Sequence, residues 1–194
     1  RPGFGLSDMR DDDPDPFKTA AHDMKRLCDV LGIARLDIIA RGGAHAALAF
    51  AHLYPETCGR IVALNPDTII DAKSKREGVL GAAKHAVWRR PHFIENFARI
   101  ISAQATPKRV TQLIRASMRS SPPDLAAFED ARELADYHRA VMLFATGRLF
   151  GFIAEQRAYA EGIDAPALKD ASNWAVLLGA HDPLHHADDM LAYW

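Results

Sequence analysis

The chain has 194 residues, enough for one domain with a sizeable core or for a core that carries an inserted cap. Hydrophobic residues make up 48%, which excludes a disordered polyelectrolyte, and 24 basic against 25 acidic side chains leave a formal net charge of −1. That balance argues against a dedicated nucleic-acid-binding surface in this segment, and no apolar run is long enough to cross a bilayer.

The first eight residues, Arg1-Pro2-Gly3-Phe4-Gly5-Leu6-Ser7-Asp8, form a small-residue loop, with Ser7 read as a turn-stabilising hydroxyl. Asp11-Asp12-Asp13-Pro14-Asp15-Pro16 follows as a solvated loop; its prolines spoil the ligand pattern that so many aspartates would need to bind calcium. An amphipathic helix is predicted from Phe17 to Leu31, with Ala20, Met24, Leu27, Cys28 and Leu31 on one face, and Gly32 stops it. Cys28 and Cys58 lack C-x-x-C spacing and read as buried, reduced thiols, in keeping with a cytoplasmic setting.

A strand is predicted from Leu36 to Ala40, then a tight turn of very small residues. An alanine-rich helix from Ala44 to Leu53 follows, closed by Tyr54-Pro55-Glu56, and a second strand runs from Arg60 to Leu64. Short apolar strands alternating with helices imply an α/β fold with a mainly parallel sheet flanked by helices. Ligands of such sheets gather at the carboxyl ends of the strands, where Gly42, Asn65, Asp67 and Asp182 fall. From about Ile69 to Ile163 helical periodicity replaces the strand signal. Pro91, Pro107 and Pro122-Pro123 mark helix starts, and Gly147 and Gly151 are expected to divide the stretch from Asp124 to Glu161. The basic residues Arg89, Arg90, Lys108, Arg109, Arg115 and Arg119 read as solvated helix faces. A last strand begins at Trp174 and runs into Gly179-Ala180-His181-Asp182-Pro183.

Three ordered segments resemble the α/β-hydrolase superfamily. The opening Arg1-to-Asp8 run is similar to a loop that follows that fold's fourth strand. Ala40-Arg41-Gly42-Gly43-Ala44 sits where the G-x-S-x-G nucleophile elbow belongs, with Arg60 to Pro66 as the next strand, and Trp174 to Leu184 resembles the late strand and acid loop. The resemblance implies a hydrolase core over 1–68, an all-helical cap or lid over 69–165, and the remaining core over 166–194. It also implies a segment of a longer protein, whose oxyanion loop and catalytic histidine lie outside the chain.

In this register Gly42 occupies the nucleophile position without a side chain, and Asp182 occupies the position of the triad acid, which orients histidine and stabilises imidazolium. An elbow's central residue sits at positive φ, a strain of about 1–3 kcal/mol for a residue with a Cβ, and glycine relieves it. Arg41, Gly43, Asn65, Asp67 and His181 are the expected pocket residues; Arg41, at the pocket mouth, either binds an anionic group through its bidentate fork or faces solvent. His45, in the first turn of the helix, reads as structural. His181, His185, His186, Asp188 and Asp189 match no strong zinc signature, so neither a metal nor a cofactor is expected.

The function expected is a non-catalytic, ligand-binding or sensory module, since similar hydrolase-like segments occur within larger bacterial regulators. The alternative is a hydrolase acting on a small ester or related substrate through an atypical site. The expected partner is a small molecule, with no nucleic acid and no membrane; a homodimer is compatible with the sequence.

Overall fold

The structure, a computed structural model, describes residues 1–4, 7–8, 15–66, 90, 92–93, 96, 99–100, 103, 106–119, 121–146, 150–161, 172–180, 188, 190–191 and 194. The first helix, α1 (Pro16–Leu31), begins where Asp15 accepts hydrogen bonds from the backbone N–H groups of Phe17 and Lys18 at 3.1 and 3.0 Å, with Pro16 at a position that needs no donor. It ends at Gly32, which takes the left-handed conformation at φ 67° and returns its N–H to the last turn. Strand β1 (Leu36–Arg41), helix α2 (Ala44–Leu53) and strand β2 (Cys58–Leu64) form a β-α-β unit, and β3 (Trp174–Leu177) completes a parallel sheet of order β1-β2-β3.

Both β1 and β2 extend past their predicted ends. Leu36 pairs with Cys58 but Ile38 pairs with Ile61, so Gly59 and Arg60 bulge opposite Asp37. Asp37 holds the bulge by accepting from the Arg60 N–H at 2.7 Å and from its guanidinium at 2.7 and 3.2 Å. Gly59 suits this spot because a Cβ would run into the Asp37 carboxylate and stand 3.0 Å from the Leu36 carbonyl oxygen.

The core lies on one face of this sheet. Phe17, Ala20 and Ala21 of α1 pack with Ala46, Ala47, Ala49 and Phe50 of α2 over Cys58 and Ile61, with Leu36, Ile38 and Ala40 of β1 beneath them. Alanine on both helices lets them approach closely, and Phe17 and Phe50 fill the remaining volume. Two side chains expected on the buried face of α1 are instead exposed: Leu27 at 57% and Leu31 at 61%. The buried residues of α1 are Phe17, Ala20, Ala21 and Cys28, so the covered stripe passes beside Leu27 and Leu31.

The described helices after β2 are α3 (Pro107–Ser117), α4 (Pro122–Ala127), α5 (Ala131–Thr146) and α6 (Phe150–Glu161), with further helical residues between 92 and 103. Pro107 and Pro122 open α3 and α4 as predicted. In the stretch from Asp124 to Glu161 the chain turns at 128–130, α5 ends at Thr146 directly before Gly147, which lies outside the described residues, and Gly151 lies inside α6 and does not break it. Close approach explains Gly151. Its N–H donates to the Gly3 carbonyl at 3.0 Å, and a Cβ there would collide with the Phe4 ring and stand 2.6 Å from the Pro2 carbonyl oxygen. Helix α6 joins the core, with Tyr159 buried among Phe17 and the α2 residues. Cys28 and Cys58 are free, buried thiols, and burial pushes the Cys58 thiol up from its ordinary pKa. Among the described residues no helix is long and apolar enough to cross a membrane.

Candidate functional site

Strand β1 delivers the chain to a bend at the carboxyl edge of the sheet. Its last residue is Arg41; Gly42 then turns at φ 58° and Gly43 at φ 47°, and α2 starts at Ala44. Both glycines occupy the left-handed region, where a side chain costs about 1–2 kcal/mol. The strand-to-helix turn expected of Gly42 is present. None of the residues 40–44, Ala-Arg-Gly-Gly-Ala, has a hydroxyl, thiol or carboxylate. A shift of register by one position in either direction therefore brings in no nucleophile.

An open cleft of about 730 Å³ lies beside this bend. Arg41, Gly42 and Gly43 line it together with Ile38, Ile39 and Ala40 of β1, Ala20, Asp23, Met24 and Leu27 of α1, Ala46 and Ala47 of α2, and Arg1, Pro2, Ser7 and Asp8 of the opening loop. This volume lies within the range of small-molecule sites, roughly 300–1,000 Å³. The described lining offers one hydroxyl, Ser7, two carboxylates, Asp8 and Asp23, and no histidine, the usual base for a serine nucleophile.

His45 is close in sequence and turned away in space. It is 2% exposed, its Nδ1 lies 3.3 Å from the Tyr159 hydroxyl, and the rings of Phe17, Tyr159 and Trp194 surround it at centroid distances of 5.1–5.4 Å. It serves the packing between α2 and α6, as its expected structural role implies. Glu155, one turn before Tyr159, is also buried, and it pairs with Arg1 at 2.9 Å. Arg1 in turn lies over the Phe4 ring at 4.3 Å and covers Gly43, whose hydrogen leaves room for the guanidinium. These links between the opening loop, α6 and the bend have no counterpart in local sequence spacing.

Asn65 takes a different part from a pocket residue. At φ 39° it accepts a hydrogen bond on Oδ1 from the Gly179 N–H at 2.6 Å and donates its own N–H to Leu177 at 2.8 Å. It thereby clips the exit of β2 to the exit of β3, and it is not among the described residues lining the cleft. Asp67, His181 and Asp182, with His185, His186 and Asp189, lie outside the described residues. Asp188 is described and is exposed. Among the described residues no cluster of three or more histidine, cysteine or carboxylate side chains is placed to hold a metal.

The parallel sheet with helices between its strands defines a distant α/β-hydrolase-like fold, of which three strands are described. A solved epoxide hydrolase of Bacillus megaterium, in complex with an inhibitor, superposes with a TM-score of 0.52 at 13% identity, covering 98% of this chain and 69% of that one. At that identity the likeness is one of fold. No protein-family profile matches the chain.

Proposed function

We propose that this chain is a non-catalytic, ligand-binding module built on a hydrolase-like fold, serving a longer and regulatory protein. The observation that supports this reading is the left-handed glycine pair at the strand-to-helix bend, with no nucleophilic side chain across residues 40–44 and an open cleft beside it. Removing the nucleophile from a serine triad costs roughly 10⁶-fold in turnover and leaves about 10³–10⁴ over water. Binding survives such a loss because it rests on the shape and lining of the cleft. In this reading Asp182 keeps the acid position that the resemblance gives it without a catalytic role, and His181 and Asp67 are candidate pocket residues on sequence grounds alone.

The test combines two measurements on the full chain. Thermal unfolding with a panel of small apolar and anionic compounds is expected to give saturable stabilisation by at least one class, because a ligand at 100 times its Kd adds about 2.7 kcal/mol. Hydrolysis of p-nitrophenyl butyrate is expected to match that of heat-denatured protein. Saturable turnover abolished by Asp182→Asn would replace this reading with an atypical hydrolase.

A further inference from the structure

Strand β1 has a neighbour on one side only: the described sheet runs β1-β2-β3, so β1 forms its edge. The Leu36 N–H donates to the Thr57 carbonyl at 2.8 Å, which turns the backbone groups of Leu36, Ile38 and Ala40 toward β2. By alternation the N–H and C=O groups of Asp37, Ile39 and Arg41 point to the open edge. The cleft runs along that edge. Ile38, Ile39, Ala40 and Arg41 all line it, although their side chains alternate between the two faces of the sheet, and they share one space only along the flank of the strand. An edge of this kind is a template for one more strand.

The side chains beside the edge select the strand that fits. Asp37, Ile39 and Arg41 lie on the sheet face away from α1 and α2, in the order acid, apolar residue, base, and Ile39 is 76% exposed. This order is self-complementary. When a second β1 runs antiparallel about a two-fold axis at Ile39, each Asp37 stands opposite the other copy's Arg41 and the two Ile39 side chains meet. The three residues then also turn their backbone groups to one another, giving about six hydrogen bonds, two for each opposed pair. Sliding the strands by two residues sets Ile39 against a charge, and sliding them by four sets Asp37 or Arg41 against itself. Among the described residues the Arg41 side chain has no hydrogen-bond or ion-pair partner in its own chain. Asp37 accepts three hydrogen bonds from Arg60 and keeps room for one more donor.

We propose that the chain forms a two-fold symmetric dimer in which β1 pairs antiparallel with β1 of a second copy, joining the two sheets into one. The other face of the sheet adds apolar surface to the same contact. Leu27 borders the cleft from α1, and Val30 and Leu31, three and four residues on, continue its exposed stripe. The axis is perpendicular to the sheet, so the α1 helices of both copies lie on one side of it with these stripes toward each other. The partner strand takes the flank of the cleft along Ile38 to Arg41, and the end at Gly42, Gly43 and the opening loop stays available to the ligand proposed above.

Sedimentation velocity of the full chain over a wide range of concentration tests this, together with hydrogen exchange of the β1 amides. A monomer–dimer equilibrium is expected. Arg41→Asp turns both ion pairs into repulsions and is expected to raise the dissociation constant about tenfold or more. Asp37→Arg has the same effect, and an equimolar mixture of the two variants is expected to restore the dimer, because each acid then meets a base again. Asp37→Arg also releases Arg60, so Ile39→Pro serves as an independent variant: it removes an edge-facing N–H, leaves the bonds to β2 in place and is expected to abolish the dimer with circular dichroism unchanged. In the dimer the N–H groups of Ile39 and Arg41 are expected to exchange as slowly as those of Ile38 and Ala40, and in Arg41→Asp to exchange fast. A monomer at every concentration would overturn the dimer and leave the binding role standing. Slow exchange at Ile39 and Arg41 in such a monomer would assign the edge to another strand of the same chain and equally overturn the dimer. A dimer that survives both Arg41→Asp and Ile39→Pro would overturn the pairing through β1. Failure of the mixed variants to associate, with both folded by circular dichroism, would overturn the register.

Discussion

The bend at Gly42-Gly43 makes a quantitative prediction when Gly43→Ala is compared with Gly32→Ala. At Gly32 the backbone is left-handed, φ 67°, and a Cβ would meet nothing within 4 Å. Its replacement therefore measures the backbone penalty alone, about 1–2 kcal/mol. Gly43 has the same handedness at φ 47°, and in addition its Cβ would collide with the Arg1 guanidinium. Arg1 must then swing off Glu155, whose side chain is only 10% exposed. A charged hydrogen bond contributes about 1.5–3 kcal/mol, but Arg1 is 35% exposed and recovers part of the contact in a new rotamer, leaving a loss of about 1 kcal/mol. The total for Gly43→Ala is about 2–3 kcal/mol, and for a chain of this length each kcal/mol lowers Tm by roughly 2–4 °C.

Urea unfolding followed by circular dichroism reads both values, and an Arg1→Ala background isolates the coupling, since the excess at Gly43 should vanish there. An alanine at a glycine position of ordinary conformation stabilises a protein by about 0.4–1 kcal/mol, so the sign itself discriminates. A neutral or stabilising Gly43→Ala would refute the left-handed bend. An excess that persists without Arg1 would refute the contact assigned to it.

Three further outcomes follow from the packing and the ion pairs. Tyr159→Ala removes the ring that ties α6 to Phe17 and His45 and should cost about 3–5 kcal/mol in urea unfolding, whereas Tyr159→Phe loses only the hydroxyl near His45, about 1 kcal/mol; near-equal values would show that the ring is not buried there. Hydrogen bonds from the Arg60 guanidinium and N–H hold the Asp37 carboxyl below its ordinary pKa. Its stabilising contribution is therefore present above the ordinary carboxylate range and lost as pH falls through the lowered folded value. An NMR titration should find the Asp37 midpoint at lower pH than in the Arg60→Gln variant, and identical midpoints would remove the ion pair. The buried thiols of Cys28 and Cys58 should react with Ellman's reagent only as fast as the chain opens, and immediate labelling of either would contradict its burial.

The β-α-β unit was legible because its signals are local. Gly32 as a stop, Ala44 to Leu53 as a helix, and a strand leading into two glycines follow from spacing and backbone preference, and the structure places them so. The start of β2 was harder, since Cys58 and Gly59 join the strand only through pairing with Leu36 and the bulge that Asp37 holds. Leu27 and Leu31 carry the period of a buried face, yet only Cys28 between them is covered, because burial depends on which positions a neighbour reaches in space. Gly151 looks like a breaker in sequence and is a contact point in space, because Phe4 and Pro2 lie far away along the chain. At the site, Arg41 and the glycine pair were readable from the turn. The Arg1–Glu155 pair, the contact of Tyr159 with His45 and the clip made by Asn65 join residues 114 or more positions apart, and no window of sequence contains them.

The central claim, a hydrolase-shaped bend that carries no reactive group, is tested most directly by intact-mass spectrometry of the full chain after exposure to an excess of a fluorophosphonate. The account predicts an unmodified mass after prolonged incubation. A single stoichiometric phosphonate adduct, formed by native protein and absent from heat-denatured protein, would contradict it.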